Sequence, residues 1–277
     1  FTSSKVPTMP DLEVMWDRGI IVKFGNSTIC LDPQSSRVSC RHVFISHAHN
    51  DHTAGFKAKN AVKYATKATA DIFEAVINTK VADVNRLNFG DRVKVEDFEV
   101  TLYDSGHILG STIFRIDTPE GSVTYTGDLN CVDTLVTSAA RPVDCDILVI
   151  ESTYGDGRFL FPAREQLYRQ MVEWAVQKVG EDRVPVFYAY SVGKAQEIIR
   201  LLNEFTDMDV YVHPLIAQIN RVYNDMNIPL DADVYQPKLK SRKSTIIYPY
   251  NQRGYTNIDR EAPASATGWA LKYRQIN

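Results

Sequence analysis

His47-Ala48-His49-Asn50-Asp51-His52 gathers three of the chain's six histidines and an aspartate into one short stretch, a density that core packing does not require. The preceding His42-Val43-Phe44-Ile45-Ser46 is β-branched and aromatic, which predicts a buried strand that delivers the cluster to its C-terminal end. Thr53-Ala54-Gly55-Phe56 then turns away. On extended backbone, side chains two apart share a face, so His47 and His49 can converge on one cation. Asp51 and His52, past the bend, reach a neighbouring point. One segment can thus serve two metals; imidazole suits Zn, Mn, Fe and Ni, and the carboxylate widens the choice to harder ions.

Two downstream segments have the same character. Gly106-His107-Ile108-Leu109-Gly110-Ser111 sets a histidine between glycines, directly after one strand and before the next, where glycine lets backbone approach something closely. Thr126-Gly127-Asp128 ends a hairpin built from 111–118 and 122–126, and its carboxylate can project into a cleft and bridge two cations, or close an Asx turn. Upstream, Ile20–Phe24 and Thr28–Leu31 flank a Gly25-Asn26-Ser27 turn. The second of these strands ends at Asp32, which can cap a turn.

The pattern H-x-H-x-D-H resembles the metal-binding signature of the metallo-β-lactamase fold. The resemblance implies that His47, His49 and His107 bind a first metal, that Asp51 and His52 bind a second, and that Asp128 bridges them. It also implies that an acidic residue at Asp32 orients a metal ligand from behind. The cations expected are one or two Zn ions, with Mn as the other candidate.

Composition sets wide bounds. At 277 residues, 44% hydrophobic and 23% charged, the chain can bury a full core. Its net charge of -3 exerts no global pull on nucleic acid. The four cysteines are widely spaced with no CxxC pair, which reads as a reduced, cytoplasmic protein. No run approaches the roughly 18 apolar residues of a membrane helix, so no membrane partner is expected.

Strands are expected at 62–65, 93–95, 98–103 and 146–150, with a helix from about Thr69. Strand 146–150 runs into Glu151-Ser152-Thr153-Tyr154-Gly155, which resembles the hallmark of nucleic-acid-processing members of the fold. Glu151 then either caps a turn, supports a metal-bound histidine or donates a proton. An amphipathic helix runs from Pro162 to Gly180, followed by a strand at 184–190 and a helix opening at Ser191-Val192-Gly193-Lys194. That turn is a natural phosphate seat through Ser191, Gly193 and Lys194, since amides and the helix dipole face an anion. The segment Tyr190–Lys194 resembles one in Artemis-like cross-link repair nucleases and ligase-associated DNA exonucleases. His213 ends another strand before a helix, and is either a capping residue or a substrate-side one. Lys238, Lys240, Arg242 and Lys243 form a basic run that reads as a solvated loop. Strands at 246–248 and 266–271 close the chain.

The resemblance spans about Ile20 to Leu271. It implies an α/β (α+β) fold, an αββα sandwich occupying 11–277 after a 1–10 tail. The span from Glu151 to His213 reads as too short for the large cap of β-CASP RNA-cleavage factors. The chain therefore looks closer to compact ligase-associated exonucleases and archaeal RNA-processing exonuclease-like proteins. The activity implied is hydrolysis of DNA or RNA by a metal-activated water, with Asp51, Asp128 and Glu151 as the catalytic carboxyl groups. A lactonase- or glyoxalase-like small-molecule hydrolase would use the same cluster, and a metal-poor scaffold subunit is a third possibility. One departure stands out: the family's final metal-two histidine, in a motif such as S-D-H-A-D, has no counterpart here. The expectation is that a C-terminal segment is missing from this sequence and that the second metal is held poorly without it.

Overall fold

The computed structural model describes residues 11–237, 242–253 and 258–271. The expected 1–10 tail lies outside these residues, as do Lys238 and Lys240 of the basic run. The described residues form two compact units. The first runs to Glu151 apart from Ala75–Asn78 and Val132–Ser138, and the second comprises those two segments and the chain from Ser152 onward.

The first unit carries two sheets. One is six-stranded in chain order: β1 (Leu12–Trp16), β2 (Ile20–Phe24), β3 (Ser27–Leu31), β4 (His42–Phe44), β5 (Val62–Thr66) and β6 (Val84–Leu87), with helix α1 (Lys67–Ile77) between the last two strands. The other contains β7 (Arg92–Val95), β8 (Phe98–Asp104), β9 (Thr112–Thr118), β10 (Gly121–Tyr125) and β11 (Ile147–Val149), in the order β11-β10-β9-β8-β7. Period-2 alternation turns Val22, Ile29, Leu31 and Phe44 of the first sheet towards Val100, Leu102, Phe114 and Ile116 of the second, all fully buried in one core. Phe44 meets Phe114 edge-on at 5.4 Å. The opposite face of the first sheet, with Val43, Ile45 and Ala65, is covered by Phe56, Ala70 and Phe73. The strands here are apolar on both faces because both are packed. This is the mixed α/β sandwich that the sequence implies.

Strand β6 was not expected, since Val-Asn-Arg-Leu carries little β signal. It forms because parallel pairing with β5 satisfies its backbone, while Arg86 pairs with Asp71 at 2.7 Å and Glu74 at 2.6 Å on α1.

The second unit contains α2 (Arg164–Gly180), β12 (Val184–Ala189), α3 (Lys194–Phe205), β13 (Asp209–Val212), α4 (Pro214–Asp225), β14 (Asp233–Val234), β15 (Ser244–Pro249) and β16 (Glu261–Ala266). Its strands make a separate, wholly parallel sheet in the order β14-β13-β15-β12-β16. The reading of 11–277 as one sandwich did not foresee this sheet. It draws strands from 184 to 266, well beyond the span between Glu151 and His213 on which that reading rested. The last strand also differs: Glu261–Ala266 pairs with all of β12, and Gly268–Leu271 is a 3-10 turn, not strand. Alanine, proline and serine hide the strand from any hydrophobic pattern; fully buried β12 supplies the apolar surface for both. Helix α2 begins at Arg164, just past Pro162.

Candidate metal centre

The cluster sits where β4 ends, as its strand-then-bend pattern implies. His47 is fully buried, and its Nε2 lies 3.1 Å from His49 Nδ1. His107 Nε2 approaches the same His49 nitrogen at 3.1 Å. Ideal tetrahedral geometry with Zn–N bonds of about 2.0–2.1 Å separates ligand nitrogens by about 3.3 Å, so this convergence has the dimensions of a cation site. Donor atoms of His47, His49, His107 and Asp128 all lie within 4.8 Å of one another, as do those of Asp32, His47 and His52.

Asp128 faces both groups. Its Oδ2 is 3.7 Å from His47 Nε2 and 3.6 Å from His107 Nε2, while its Oδ1 is 3.5 Å from His52 Nε2. Gly127 makes this approach possible: it adopts φ +53°, and a Cβ there would meet Ser46 Oγ at 2.7 Å. Asp51, 74% exposed at its side chain, reaches His52 Nε2 at 3.7 Å but belongs to neither tight group.

The loop that carries His107 is fixed from both ends. Ser111 Oγ accepts from the amides of His107 and Ile108, both at 3.1 Å. The hydroxyls of Thr66 and Thr69, at the start of α1, donate to Gly110 O at 2.7 and 2.9 Å. Gly110 itself has φ +79°, with Ala68 Cβ 2.7 Å from where a Cβ would stand.

Asp32 organises the opposite side. It follows β3 in the left-handed region, φ 43°, a conformation aspartate tolerates better than most residues. Its buried carboxylate accepts from Ser46 N at 2.7 Å, Ser46 Oγ at 2.5 Å, His52 Nδ1 at 2.8 Å and Tyr125 OH at 2.8 Å. Because Ser46 donates its one hydroxyl proton to Asp32, it accepts from His47 Nδ1, 2.9 Å away. Both imidazoles are therefore protonated at Nδ1, which leaves Nε2 as the atom each turns towards a cation. This donor chemistry fits a divalent metal: three ring nitrogens and a carboxylate oxygen on one side, and a nitrogen and carboxylates on the other.

The two rings differ in charge. Burial, then the rings of His52, His49 and His107, hold His47 well below the ordinary histidine value and keep it neutral. At His52 burial also opposes charge, but the Asp32 hydrogen bond and the Asp32, Asp128 and Asp51 carboxylates outweigh it and push the ring up to about 9. Burial raises Asp128 to about 6; Glu151, Asp51 and Asp32 reinforce the rise and His52 opposes it. Glu151 Oε1 accepts from Leu129 N at 3.2 Å, beside Asp128.

Sequence reasoning missed Ser46 and Tyr125. The only signal for Ser46 was its place before His47, and Tyr125 read as an ordinary strand residue.

The residues assigned to a phosphate lie in the second unit and are engaged otherwise. Gly193 N donates to Gln196 Oε1 at 2.7 Å, and the amides of Lys194 and Ala195 donate to Val192 O and Tyr190 O. Lys194 Nζ pairs at 2.5 Å with Glu197, which is buried and also takes Arg164 at 2.8 Å and Tyr168 OH at 2.6 Å. Ser191 O accepts from Gln196 Nε2 at 3.1 Å. The turn's donors thus serve the start of α3, which argues against a ready anion seat. His213 caps α4, its Nδ1 accepting from Leu215 N at 3.1 Å.

The chain matches a family model described as the β-lactamase superfamily domain over residues 23–187. It is 29% identical over 236 residues to a probable DNA ligase of Opitutus terrae, covering 83% of this chain and 23% of that protein. It is 28% identical over 238 residues to an RNase J-like protein of Methanocaldococcus jannaschii, covering 76% of this chain and 55% of that one. Cleavage and polyadenylation specificity factor 73 of Drosophila melanogaster is 28% identical over 203 residues, covering 62% and 29%. The chain therefore spans roughly a quarter to a half of these relatives' lengths. A crystal structure of an Enterococcus faecalis protein of unknown function superposes with a TM-score of 0.62 at 15% identity, covering 92% of this chain and 87% of that one.

Proposed function

Since the chain belongs to the metallo-β-lactamase superfamily, we propose that it is a metal-dependent phosphodiesterase acting on nucleic acid, with the reaction housed in its first unit. The observation that carries the proposal is Asp128, whose Oδ2 faces His47 and His107 while its Oδ1 faces His52. The names of the relatives, among them RNase J-like protein, support nucleic acid as the substrate.

In this reading His47, His49, His107 and Asp128 would hold one cation, and His52 and Asp51, with Asp128 shared, would hold a second. Zinc is the cation proposed, and manganese also suits the donors. A divalent cation there would supply Lewis-acid stabilisation of charge on a phosphodiester and would lower the pKa of water towards neutrality. Asp128, part-buried, and Asp51, at the exposed rim, would accept hydrogen bonds from a water held there. Asp32 keeps His52 and, through Ser46, His47 in the tautomer that binds. Glu151 steadies the backbone that carries Asp128 and is a positioning residue. Lys194 and His213 support the fold of the second unit.

The test is to compare wild-type protein with His49→Ala for bound metal and for cleavage of end-labelled single-stranded and duplex DNA and RNA. The variant should lose a metal ion and lose activity by more than the roughly 10- to 100-fold typical of residues behind a ligand. Undiminished cleavage by the variant, or a wild type that hydrolyses lactones or thioesters but no oligonucleotide, would overturn the proposal.

A further inference from the structure

We propose that the carboxyl edge of the parallel sheet in the second unit, at Tyr190 and Tyr250, is a base-stacking platform for single-stranded nucleic acid; this deepens the nucleic-acid reading above and rests on it. Strands β12 and β15 run in register, with Tyr188 opposite Tyr248 and Ala189 opposite Pro249. Tyr190 follows directly on β12, and Tyr250 opens a 3-10 turn directly after β15. Their rings lie at a 24° interplanar angle with centroids 6.2 Å apart, an offset stack.

These two tyrosines differ from others in the sheet. Tyr188 is fully buried with its hydroxyl on Glu261, and Tyr211 is buried as well. Tyr190 and Tyr250 are 46% and 36% exposed. Two half-exposed aromatic rings stacked on each other outside the buried core present an apolar surface with polar tips, the form that takes a base on its face.

Topology points to the same edge. After β12 the chain passes to β13, on the far side of β15; after β15 it passes to β16, on the far side of β12. Both connections start at the carboxyl ends of adjacent parallel strands, the edge outside which ligands bind in open parallel sheets. A cation accompanies the aromatic pair. Exposed Arg253, just past Tyr250, donates to the neutral hydroxyl of Ser265 on β16 at 3.3 Å, so its charge is available to a backbone phosphate. A base stacked on tyrosine with a phosphate beside arginine is the pairing by which single strands are held without sequence preference.

The experiment titrates fluorescent 12-residue oligomers of thymidine or uridine, and an abasic oligomer of the same length, into the full chain in chelator so that no cleavage occurs. Hydrolysis of bis(p-nitrophenyl) phosphate by the metal-loaded protein serves as an independent readout of the metal centre. Tyr190→Ala and Tyr250→Ala should each weaken binding of base-bearing oligomers roughly 5- to 100-fold. Tyr250→Phe should retain affinity, abasic binding should not change, and hydrolysis of the small diester should match wild type in every variant. Unchanged affinity for base-bearing oligomers in both alanine variants, or equal losses on the abasic oligomer, would overturn the platform while leaving the nucleic-acid reading in place. A wild type that hydrolyses the small diester yet binds no oligomer would end both.

Discussion

The Asp32 carboxylate accepts His52 Nδ1 at 2.8 Å while it also accepts from Ser46 and Tyr125. Each of these partners donates, so the site calls for a side chain that accepts at both oxygens. Asp32→Asn places two N–H groups where an acceptor is needed. The expected outcome is a 10- to 100-fold fall in affinity for the more weakly held cation, with folding retained. Metal titration followed by circular dichroism checks this, and unaltered affinity would reduce Asp32 to a turn cap.

His52 provides a proton-linked signature. Its pKa of about 9 without metal means that the ring carries a proton on Nε2 at pH 7.5. A cation binding there must displace that proton, so binding should release about one proton per second-site ion. Calorimetry in buffers of different ionisation enthalpy measures it directly. Release should fade above pH 9, and buffer-independent heats at pH 7.5 would contradict the assignment.

The two cations should bind unequally. Three imidazoles converge with Asp128 on one side, whereas among the described residues the other offers His52, shared Asp128 and exposed Asp51. A biphasic titration is expected, with His107→Ala abolishing the tight phase and Asp51→Ala the weak one. A single phase of two equivalent ions would refute it.

Glu197 should govern acid stability in the second unit. Burial raises its pKa, but Lys194, Arg164 and Tyr168 together hold it below the ordinary carboxylate range. A depressed folded-state pKa contributes stability that is complete above the unfolded value and is lost as pH falls through the folded one. The loss should therefore fall below about pH 4.3. Glu197→Gln should cost roughly 1–3 kcal/mol at neutral pH and flatten the acid limb. Lys194→Ala, whose partner is shared and whose ammonium is partly exposed, should cost at most about 1 kcal/mol. Thermal melts across pH decide, and a Lys194→Ala protein of wild-type stability with weakened oligonucleotide binding would restore the phosphate seat.

Gly110→Ala should damage the centre without touching a ligand. Its φ of +79° is costly for alanine, and the new methyl would meet Ala68 and Thr66. A loss of more than about 1 kcal/mol is expected, together with weakened metal binding through His107. Wild-type metal affinity in this variant would show the loop to be more tolerant than its contacts imply.

The histidine cluster, Gly106–Gly110 and Gly127-Asp128 could be read from the sequence because ligand chemistry and left-handed backbone each demand particular residues at particular spacings. The sandwich strands were legible because burial on both faces writes runs of Val, Ile and Phe. What the sequence did not carry was which donor meets which acceptor across long separations. Ser46 and Tyr125 became partners of Asp32 only when β3, β4 and β10 came together, since a serine or tyrosine looks the same whether it bonds a carboxylate or water. The Lys194 turn looked like an anion seat because strand-turn-helix spacing is local, whereas the Arg164, Tyr168 and Glu197 groups around it are assembled by packing of α2 on α3. Strand β16 was invisible because its stability derives from pairing with β12 and not from its own side chains, and only the tertiary structure supplies that neighbour.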